Sequence, residues 1–252
     1  MPDSSLILHT RVDAVNMPAA LARIRGWIAA RDPHYVCCAP AHAIMEAYDH
    51  PELRPVFAGS GMTTPDGMAV VWLLRWKGHA GVERVYGPDL LLAACADGVE
   101  RGVRHYFYGG APGVAEALVE RLSARYPGLL VAGVDSPPFR PLSAAEDAAA
   151  VERIRAAAPD MLWVGIGSPR QEQWMAAHVD GLGVPVLVGV GAAFDFLSGR
   201  KPQAPRWMQR SGLEWLFRLI SEPRRLWRRY LQYPRFAGLV LLQALGRLPG
   251  GR

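Results

Sequence analysis

Short apolar segments alternate with segments of helical pattern along the first 199 residues, and this alternation restricts the fold more than any other feature of the sequence. Six segments have the length and composition of strands: Ser5–Thr10, Tyr35–Ala39, Arg104–Tyr108, Leu129–Val134, Met161–Ile166 and Val184–Val190. Several are apolar throughout, which is typical of parallel strands buried on both faces. Seven segments have a helical pattern: Pro18–Ala30, Ala41–Asp49, Met68–Lys77, Pro88–Arg101, Pro112–Tyr126, Ala144–Ala157 and Arg170–Val179. The sequence therefore predicts an α/β layered fold with a largely parallel sheet.

The charge of the chain changes sign after residue 199. Residues 200–252 hold twelve Lys or Arg and two acids, about +10, whereas residues 1–199 sum to about −5 within a net charge of +5. We therefore predict two units, a domain over residues 1–199 and a basic helical appendage over residues 200–252. A basic segment of this kind is expected to meet phosphate, in nucleic acid, in anionic lipid or in a phosphorylated substrate.

Within the predicted appendage, Arg206–Leu231 has the pattern of a helix rich in Arg and Trp. We expect it to be broken or bent near Pro223 and ended by Pro234. The apolar stretch Phe236–Leu245 that follows is too short to span a bilayer of roughly 30 Å. The composition fits a solvated helix with one core face and a membrane-surface helix about equally, and nucleic-acid binding is the remaining alternative.

Three glycine-containing turns follow predicted strands, at residues 109–113, 165–171 and 189–194. A glycine turn between a strand and a helix presents backbone N–H groups to phosphate, although each turn alone is equally well a simple tight turn. No turn has a complete G-x-G-x-x-G pattern, since Phe194 stands where the third glycine belongs, and this disfavours a nicotinamide cofactor. Three such turns on one sheet edge favour a nucleotide-type ligand.

Asp66 is the most informative polar residue in the first half of the chain, because it lies between Pro65 and Gly67 just before an apolar helix. Two interpretations are open, a helix N-cap and a general base at the mouth of the sheet. The sequence has no D-x-D pair and no histidines spaced as metal ligands, so we expect no metal site. The charge of a leaving group would then be met by Arg, Lys or helix dipoles.

The three cysteines are too few for a disulfide framework and indicate a reducing compartment. The N-terminal residues lack the basic and apolar regions of a signal peptide, so we expect none.

Taken in order, the motifs between about residue 35 and residue 231 resemble those of the WecG/TagA/CpsF glycosyltransferases of bacterial cell-surface polymer synthesis. The matching stretches are Ala39–His42, Pro65–Trp72, Arg84–Asp89, Tyr108–Gly110, Gly165–Trp174, Gly189–Gly199 and Ala204–Trp215. Each is short and unspecific alone, whereas the set and its spacing are specific.

The resemblance implies a Rossmann-like domain with a basic appendage that helps complete the active site near the membrane. It implies an inverting, metal-independent enzyme without cofactor, peripheral to the cytoplasmic face of the membrane. That enzyme would move a hexose-type sugar (N-acetylmannosamine, its uronic acid or glucose) from a UDP-sugar to a polyprenyl-diphosphate-linked saccharide. The expected partners are the donor, the lipid-linked acceptor and an anionic membrane surface, without nucleic acid. Self-association of the body is left open.

The resemblance also assigns site residues. Asp66 corresponds to the candidate catalytic base. The donor or its nucleotide is expected at Arg84, Gly109, Gly110, Gly167, Gln171, Glu172, Gly191, Phe194 and Asp195. The acceptor or its diphosphate is expected at His42, Arg218, Arg225 and Arg228.

The spacing of seven and three places Arg218, Arg225 and Arg228 on one face of a continuous helix, with Arg224 and Arg229 off that face. Pro40 departs from the resemblance, because many members have Asn there, and this puts the identity of the acceptor or donor in doubt. The alternatives are a nucleotide- or nucleic-acid-binding module that uses the cationic segment, and a nicotinamide-dependent oxidoreductase.

Overall fold

A parallel sheet forms the centre of the protein, which is described here over residues 3–248 by a computed structural model. The strands are β1 Ser4–Ile7, β2 Thr10–Asp13, β3 His34–Ala39, β4 Met62–Pro65, β5 Arg104–Gly109, β6 Leu130–Asp135, β7 Met161–Gly165 and β8 Val186–Gly189. Strands β3 to β8 form the central sheet in the order β4-β3-β8-β7-β5-β6, and every pairing in it is parallel. The predicted α/β fold with a largely parallel sheet is therefore confirmed.

Helices cover both faces of the sheet. They are α1 Met17–Ala30, α2 Ala41–Asp49, α3 Arg54–Ala58, α4 Met68–Trp76, α5 Gly87–Arg101, α6 Val114–Arg125, α7 Ala144–Ala157, α8 Arg170–His178, α9 Ala193–Leu197, α10 Arg206–Arg210, α11 Glu214–Ser221, α12 Pro223–Tyr230 and α13 Gln232–Ala244. On β7, Leu162 belongs to the core on one face and Trp163 to the core on the other, and Leu187 and Val188 divide in the same way on β8. This burial on both faces explains why the strands are continuous apolar runs.

The prediction of a single strand over Ser5–Thr10 is wrong. Strands β1 and β2 form a separate antiparallel hairpin, and the chain reverses at Leu8 and His9, which have φ angles of 46° and 70°. Leu8 and His9 adopt left-handed backbone angles although neither is glycine, so nothing in the composition indicates a turn here. The apolar pattern therefore predicted one continuous strand.

Strand β4 was missed by the sequence analysis, because Thr63, Thr64 and Pro65 do not form an apolar run. The structure buries these threonines by satisfying their polar groups. The Thr63 N–H donates to the Asp13 carboxylate at 2.8 Å, and the Thr64 hydroxyl donates to the Val85 carbonyl at 3.1 Å. Strand β4 positions Asp66, the predicted catalytic base, which follows its carboxyl end.

The C-terminal segment is a chain of short helices packed on the body. The predicted break near Pro223 is confirmed, since α11 ends at Ser221 and α12 begins at Pro223. The prediction that Pro234 ends the helix is wrong. Pro234 lies in the first turn of α13, where its missing N–H costs no helical hydrogen bond.

Helix α13 contacts α2, and its Phe236 and Val240 are buried in the core cluster of one sheet face. Arg235 adds an ion pair with Asp49 at 2.6 Å. These contacts cross the predicted boundary at residue 200, and the two-unit division stays a prediction, with residues 249–252 outside the described part. No helix within residues 3–248 combines the length and the apolarity needed to cross a membrane.

Candidate active site

A cleft of about 430 Å³ opens at the carboxyl ends of β3, β4, β7 and β8, where the C-terminal helices cover the sheet edge. Of the predicted site residues, those that line it are His42, Asp66, Arg84, Gly167, Gln171, Gly191, Arg218 and Arg225. The fold therefore brings together residues that are far apart in sequence, since His42 and Arg225 are separated by 183 positions. Their roles toward a ligand stay predictions.

Asp66 stands between β4 and α4 and faces the cleft. Gly67 occupies the N-cap position of α4, so the alternative of Asp66 as the helix cap is wrong. The Asp66 side chain is 14 % exposed. Burial raises the pKa of Asp66 from 3.8 to about 7, while the Arg84 guanidinium opposes this rise and the Glu214 carboxylate adds to it. A carboxyl group with a pKa near neutrality is suited to accept a proton from a substrate hydroxyl.

Arg84 is shared between two carboxylates. Its Nη2 donates to Glu214 Oε2 at 2.6 Å and lies 3.5 Å from Asp66 Oδ1. Its Nε donates to the backbone carbonyl of Asp66. The closer ion pair is therefore with Glu214, and the Asp66 carboxylate receives the weaker share of the guanidinium.

Glu214 reaches this site from α11 and is held there on two sides. Its Oε1 accepts a hydrogen bond from the Tyr86 hydroxyl at 3.1 Å, while the Arg84 guanidinium lies 3.9 Å above the Tyr86 ring. The sequence analysis did not name Glu214 as a site residue. The signal was present, since Glu214 is one of only two acids among residues 200–252 and lies in the motif Gly212-Leu-Glu-Trp215.

Three arginines of the C-terminal helices also line the cleft: Arg218 from α11, and Arg225 and Arg229 from α12. Within the described residues, the Nε atom of Arg218 is buried without a hydrogen-bond partner. Burial, together with the charges of Arg218 and Arg225, lowers the pKa of Arg229. Arg225 is half-exposed and forms an ion pair with Glu222 at 2.7 Å. Burying the charges of Arg218 and Arg229 together is costly, and this indicates a site for an anion.

His42 faces the same cluster. Burial, with the charges of Arg229 and Arg218, holds the pKa of His42 well below 6.5. The imidazole is therefore neutral near pH 7 and can both donate and accept a hydrogen bond.

The prediction that Arg218, Arg225 and Arg228 share one helical face is wrong. The chain leaves the helix at Glu222, with φ −136° and ψ 58°, and α12 starts in a new direction at Pro223. Spacing counted across this break has no meaning as a helical period. Within α12, Arg228 stacks on Trp227, at 5.2 Å from the ring centroid, whereas Arg225 and Arg229 line the cleft.

The three glycine turns follow β5, β7 and β8, which are neighbours in the sheet, so their predicted position on one edge is confirmed. Gly167 and Gly191 line the cleft. Gly109 and Gly110 lie beside it, where a Cβ on Gly109 would be 2.5 Å from the carbonyl carbon of Gly165. Close packing of two strands therefore explains the glycine at position 109.

Phe194 and Asp195 lie outside the cleft lining. Phe194 is buried beneath the end of β7, where a Cβ on Gly165 would be 3.0 Å from its ring. Asp195 forms an ion pair with Lys201 at 3.1 Å. The geometry gives both residues structural contacts, and their contact with a nucleotide stays a prediction.

Gln171 is fixed by two hydrogen bonds. Its Oε1 accepts from the Gly191 N–H at 3.0 Å, and its Nε2 donates to Glu172 Oε1 at 2.9 Å. Glu172 is fully buried behind the cleft, and burial raises its pKa. Glu172 therefore orients the Gln171 amide, which itself faces the cleft.

Small apolar residues form the cleft wall near Asp66, namely Cys38, Pro40 and Ala41. Pro40 lines the cleft at this position and offers no side-chain amide to a sugar hydroxyl. Among residues 3–248, no three His, Cys, Asp or Glu side chains are grouped as metal ligands. The expected metal independence of the reaction stays a prediction.

Comparison with known proteins places this cleft in a family context. Residues 6–249 match the family described as Glycosyl transferase WecG/TagA/CpsF. A Bacillus spizizenii protein named N-acetylglucosaminyldiphosphoundecaprenol N-acetyl-beta-D-mannosaminyltransferase is 31 % identical over 196 residues, covering 78 % of this chain and 74 % of the relative. A Bacillus subtilis protein of the same name is 32 % identical over 188 residues, covering 74 % and 70 %.

Proposed function

Because the chain belongs to the WecG/TagA/CpsF family of glycosyl transferases, we propose that it moves a hexose-type sugar from a UDP-sugar to a saccharide linked to a polyprenyl diphosphate. The two relatives are named for transfer of N-acetylmannosamine to an N-acetylglucosaminyl diphosphoundecaprenol. N-acetylmannosamine, its uronic acid and glucose are the candidate sugars. Pro40 in the wall beside Asp66 is the reason for keeping the sugar open.

The chemistry assigned to Asp66 is general base catalysis. Its carboxylate takes the proton from an acceptor hydroxyl as the hydroxyl oxygen bonds to the anomeric carbon. The bond from that carbon to the phosphate oxygen breaks, and UDP leaves with the electron pair. Attack from the side opposite the leaving group inverts the anomeric configuration. The raised pKa of Asp66 makes the carboxylate a better proton acceptor than an exposed aspartate.

Glu214 sets how strongly Arg84 holds the base. If Arg84 paired fully with Asp66, the carboxylate would be stabilised and would lose basicity. The 2.6 Å contact to Glu214 draws the guanidinium away, and the 3.5 Å contact to Asp66 still restrains the carboxylate. In this arrangement the C-terminal segment supplies a group that tunes the catalytic base.

The cluster of Arg218, Arg225 and Arg229 is assigned to a diphosphate. Three guanidinium groups that line one cleft can donate several hydrogen bonds to such a group, and Arg218 and Arg229, which form no ion pair with residues 3–248, can neutralise much of its charge. His42 adds a neutral donor beside them. The observation that carries the proposal is this pairing of a basic carboxyl group, Asp66, with an arginine cluster in one cleft.

The proposed location is the cytoplasmic face of the membrane, where a lipid-linked acceptor is anchored. Arg218 and Arg229 line the cleft, which favours a small phosphate group over a nucleic-acid backbone as their partner. The nicotinamide alternative has no further support, because Phe194 is part of the core.

The test is a donor panel with the full chain. Saturation-transfer NMR with UDP, UDP-hexoses, UDP-N-acetylhexosamines, UDP-uronic acids and NADH is run in EDTA, and each bound donor is then incubated with a lipid-linked saccharide acceptor. We expect selective binding of one UDP-sugar class and transfer of its sugar without added metal. Binding of NADH alone, or the absence of any uridine binding with or without metal, would overturn the proposal.

A further inference from the structure

The exposed face of α4 carries two tryptophans and two cations. Trp72 and Trp76 are four residues apart, so they lie on the same side of the helix, and they are 51 % and 68 % exposed. Arg75 and Lys77 are exposed beside them. A contiguous patch of large exposed apolar side chains usually marks a contact site, and nothing in the proposed chemistry accounts for Trp76.

Helix α10 of the C-terminal segment continues this surface. Trp207 on α10 is 64 % exposed. The turn that ends α10 lies against α4, because a Cβ on Gly212 would be 2.7 Å from the Trp72 ring. We call the exposed residues of segments 67–82 and 205–213 the α4–α10 surface.

The charge of the α4–α10 surface has one sign. Segments 67–82 and 205–213 contain no Asp or Glu. Their cations are Arg75, Lys77, Arg206 and Arg210. Arg206 forms an ion pair with Asp89 at 2.8 Å, and among residues 3–248 no ion pair involves Arg75, Lys77 or Arg210.

We propose that the α4–α10 surface lies in the head-group region of an anionic lipid bilayer. Tryptophan prefers the boundary between head groups and acyl chains, and Arg and Lys are attracted to anionic head groups. A second copy of the chain is a poorer partner, since two such surfaces would bring like charges together. The proposal goes beyond the proposed function by giving the body of the enzyme, through α4, its own membrane contact.

This placement would bring the mouth of the cleft to the lipid surface. Met68, Trp72 and Gly212 belong to both the cleft lining and the seam between α4 and α10. Helix α4 begins two residues after Asp66, and its nine residues span about 13 Å. A saccharide whose diphosphate stays at the head groups therefore has only a short distance to reach the base. This step alone rests on the proposed function.

The test uses the full chain with Trp76→Ser, because Trp76 lies outside the cleft lining. The matched control is Leu130→Ser, which removes another exposed apolar side chain from β6, at the opposite edge of the sheet from β4. Co-sedimentation is measured with phosphatidylcholine vesicles with and without phosphatidylglycerol. Trp76→Ser should weaken partitioning to the anionic vesicles about tenfold, and Leu130→Ser should leave it unchanged. Lys77→Gln should weaken it several-fold, and only when phosphatidylglycerol is present.

Two further readouts decide between occupants. Lipids with brominated acyl chains should quench the fluorescence of the unaltered protein more than that of Trp76→Ser. Equal vesicle binding by both proteins, or absence of vesicle binding by the unaltered protein, would overturn the proposal. A mass that depends on concentration in sedimentation velocity, and that Trp76→Ser abolishes, would overturn the proposal and assign the surface to a second copy. Tighter binding to DNA than to anionic vesicles would also overturn it.

Failure of this proposal is distinguishable from failure of the proposed function. The vesicle measurements need no sugar donor, so they can succeed when no UDP-sugar is bound. Conversely, equal transfer by the unaltered protein and Trp76→Ser to a vesicle-embedded acceptor, with unchanged partitioning, would overturn the membrane contact and leave the transferase intact.

Discussion

Replacing Glu214 with Gln tests whether the C-terminal segment tunes Asp66, the proposed catalytic base. The substitution keeps the size of the side chain and an oxygen that can accept from the Tyr86 hydroxyl. It removes the negative charge that binds Arg84 at 2.6 Å. The guanidinium then has one carboxylate partner left, Asp66. We expect the pKa of Asp66 to fall from its value of about 7.

The size of the fall in the Asp66 pKa follows from the position of Arg84 Nη2, which contacts both carboxylates. Asp66 Oδ1 and Glu214 Oε2 lie 3.5 and 2.6 Å from the same Arg84 atom, so the two oxygens are at most about 6 Å apart. Two unit charges at 6 Å with an effective dielectric constant of 20 interact by about 3 kcal/mol, which corresponds to about two pKa units. Closer pairing of Arg84 with Asp66 acts in the same direction.

The assay is the pH profile of kcat/KM for transfer to the lipid-linked acceptor. In Glu214→Gln, the acidic limb should move down by one to two pH units, and the plateau should fall several-fold because a weaker base remains. Glu222→Gln is the matched control, since it removes the same charge from the same segment, where Glu222 contacts Lys201 and Arg225 instead. The acidic limb of Glu222→Gln should stay in place, even if the plateau of its kcat/KM changes. A limb that stays in place in Glu214→Gln, or moves up, would refute the reasoning.

Other predictions follow from the same site. Asp66→Asn should keep donor binding in the NMR assay and lose at least about a hundredfold in kcat. Folding raises the pKa of Asp66 from 3.8 to about 7, so the unaltered protein loses stability as the pH rises through that range. Asp66→Asn should therefore be more stable than the unaltered protein at pH 8 but not at pH 4, by about 4 kcal/mol at most in the free energy of unfolding. Equal denaturant midpoints of the two proteins at pH 8 would contradict this. Arg229→Ala and Arg225→Ala should each raise the KM for the acceptor about tenfold to a hundredfold, whereas Arg228→Ala should leave it unchanged. A larger increase in KM for Arg228→Ala than for the other two variants would show that Arg228, outside the cleft, binds the acceptor.

The sheet could be predicted from the sequence where strands are buried on both faces, as in Met161–Gly165 and Val186–Gly189. It could not be predicted where burial depends on tertiary hydrogen bonds. Thr63 and Thr64 become interior residues only because Asp13 and the Val85 carbonyl satisfy them, and both partners are distant in sequence. The hairpin reversal at Leu8 and His9 was hidden for a related reason, since the packing around it stabilises backbone angles that the residues themselves disfavour.

The site was predictable as far as the resemblance carried it. Asp66, Arg84 and Gln171 were named from motifs, and the structure places all three in one cleft. Glu214 was missed, because its proposed role depends on a contact with Arg84, which is 130 residues away in sequence. A motif shows which residues recur together, whereas the division of one guanidinium between two carboxylates is visible only in three dimensions.

The break between α11 and α12 is the feature that turns the cationic segment into part of a site. An unbroken helix from Arg206 to Leu231 would rise about 38 Å and carry most of its arginines away from the sheet edge. Because α11 ends at Ser221 and α12 begins at Pro223, the helical segment is broken, and Arg218 of α11 and Arg229 of α12 both line the cleft. The same α11 delivers Glu214 to Arg84. One short helix thus contributes both to the arginine wall and to the environment of the base, so a displacement of α11 should impair diphosphate binding and the basicity of Asp66 together.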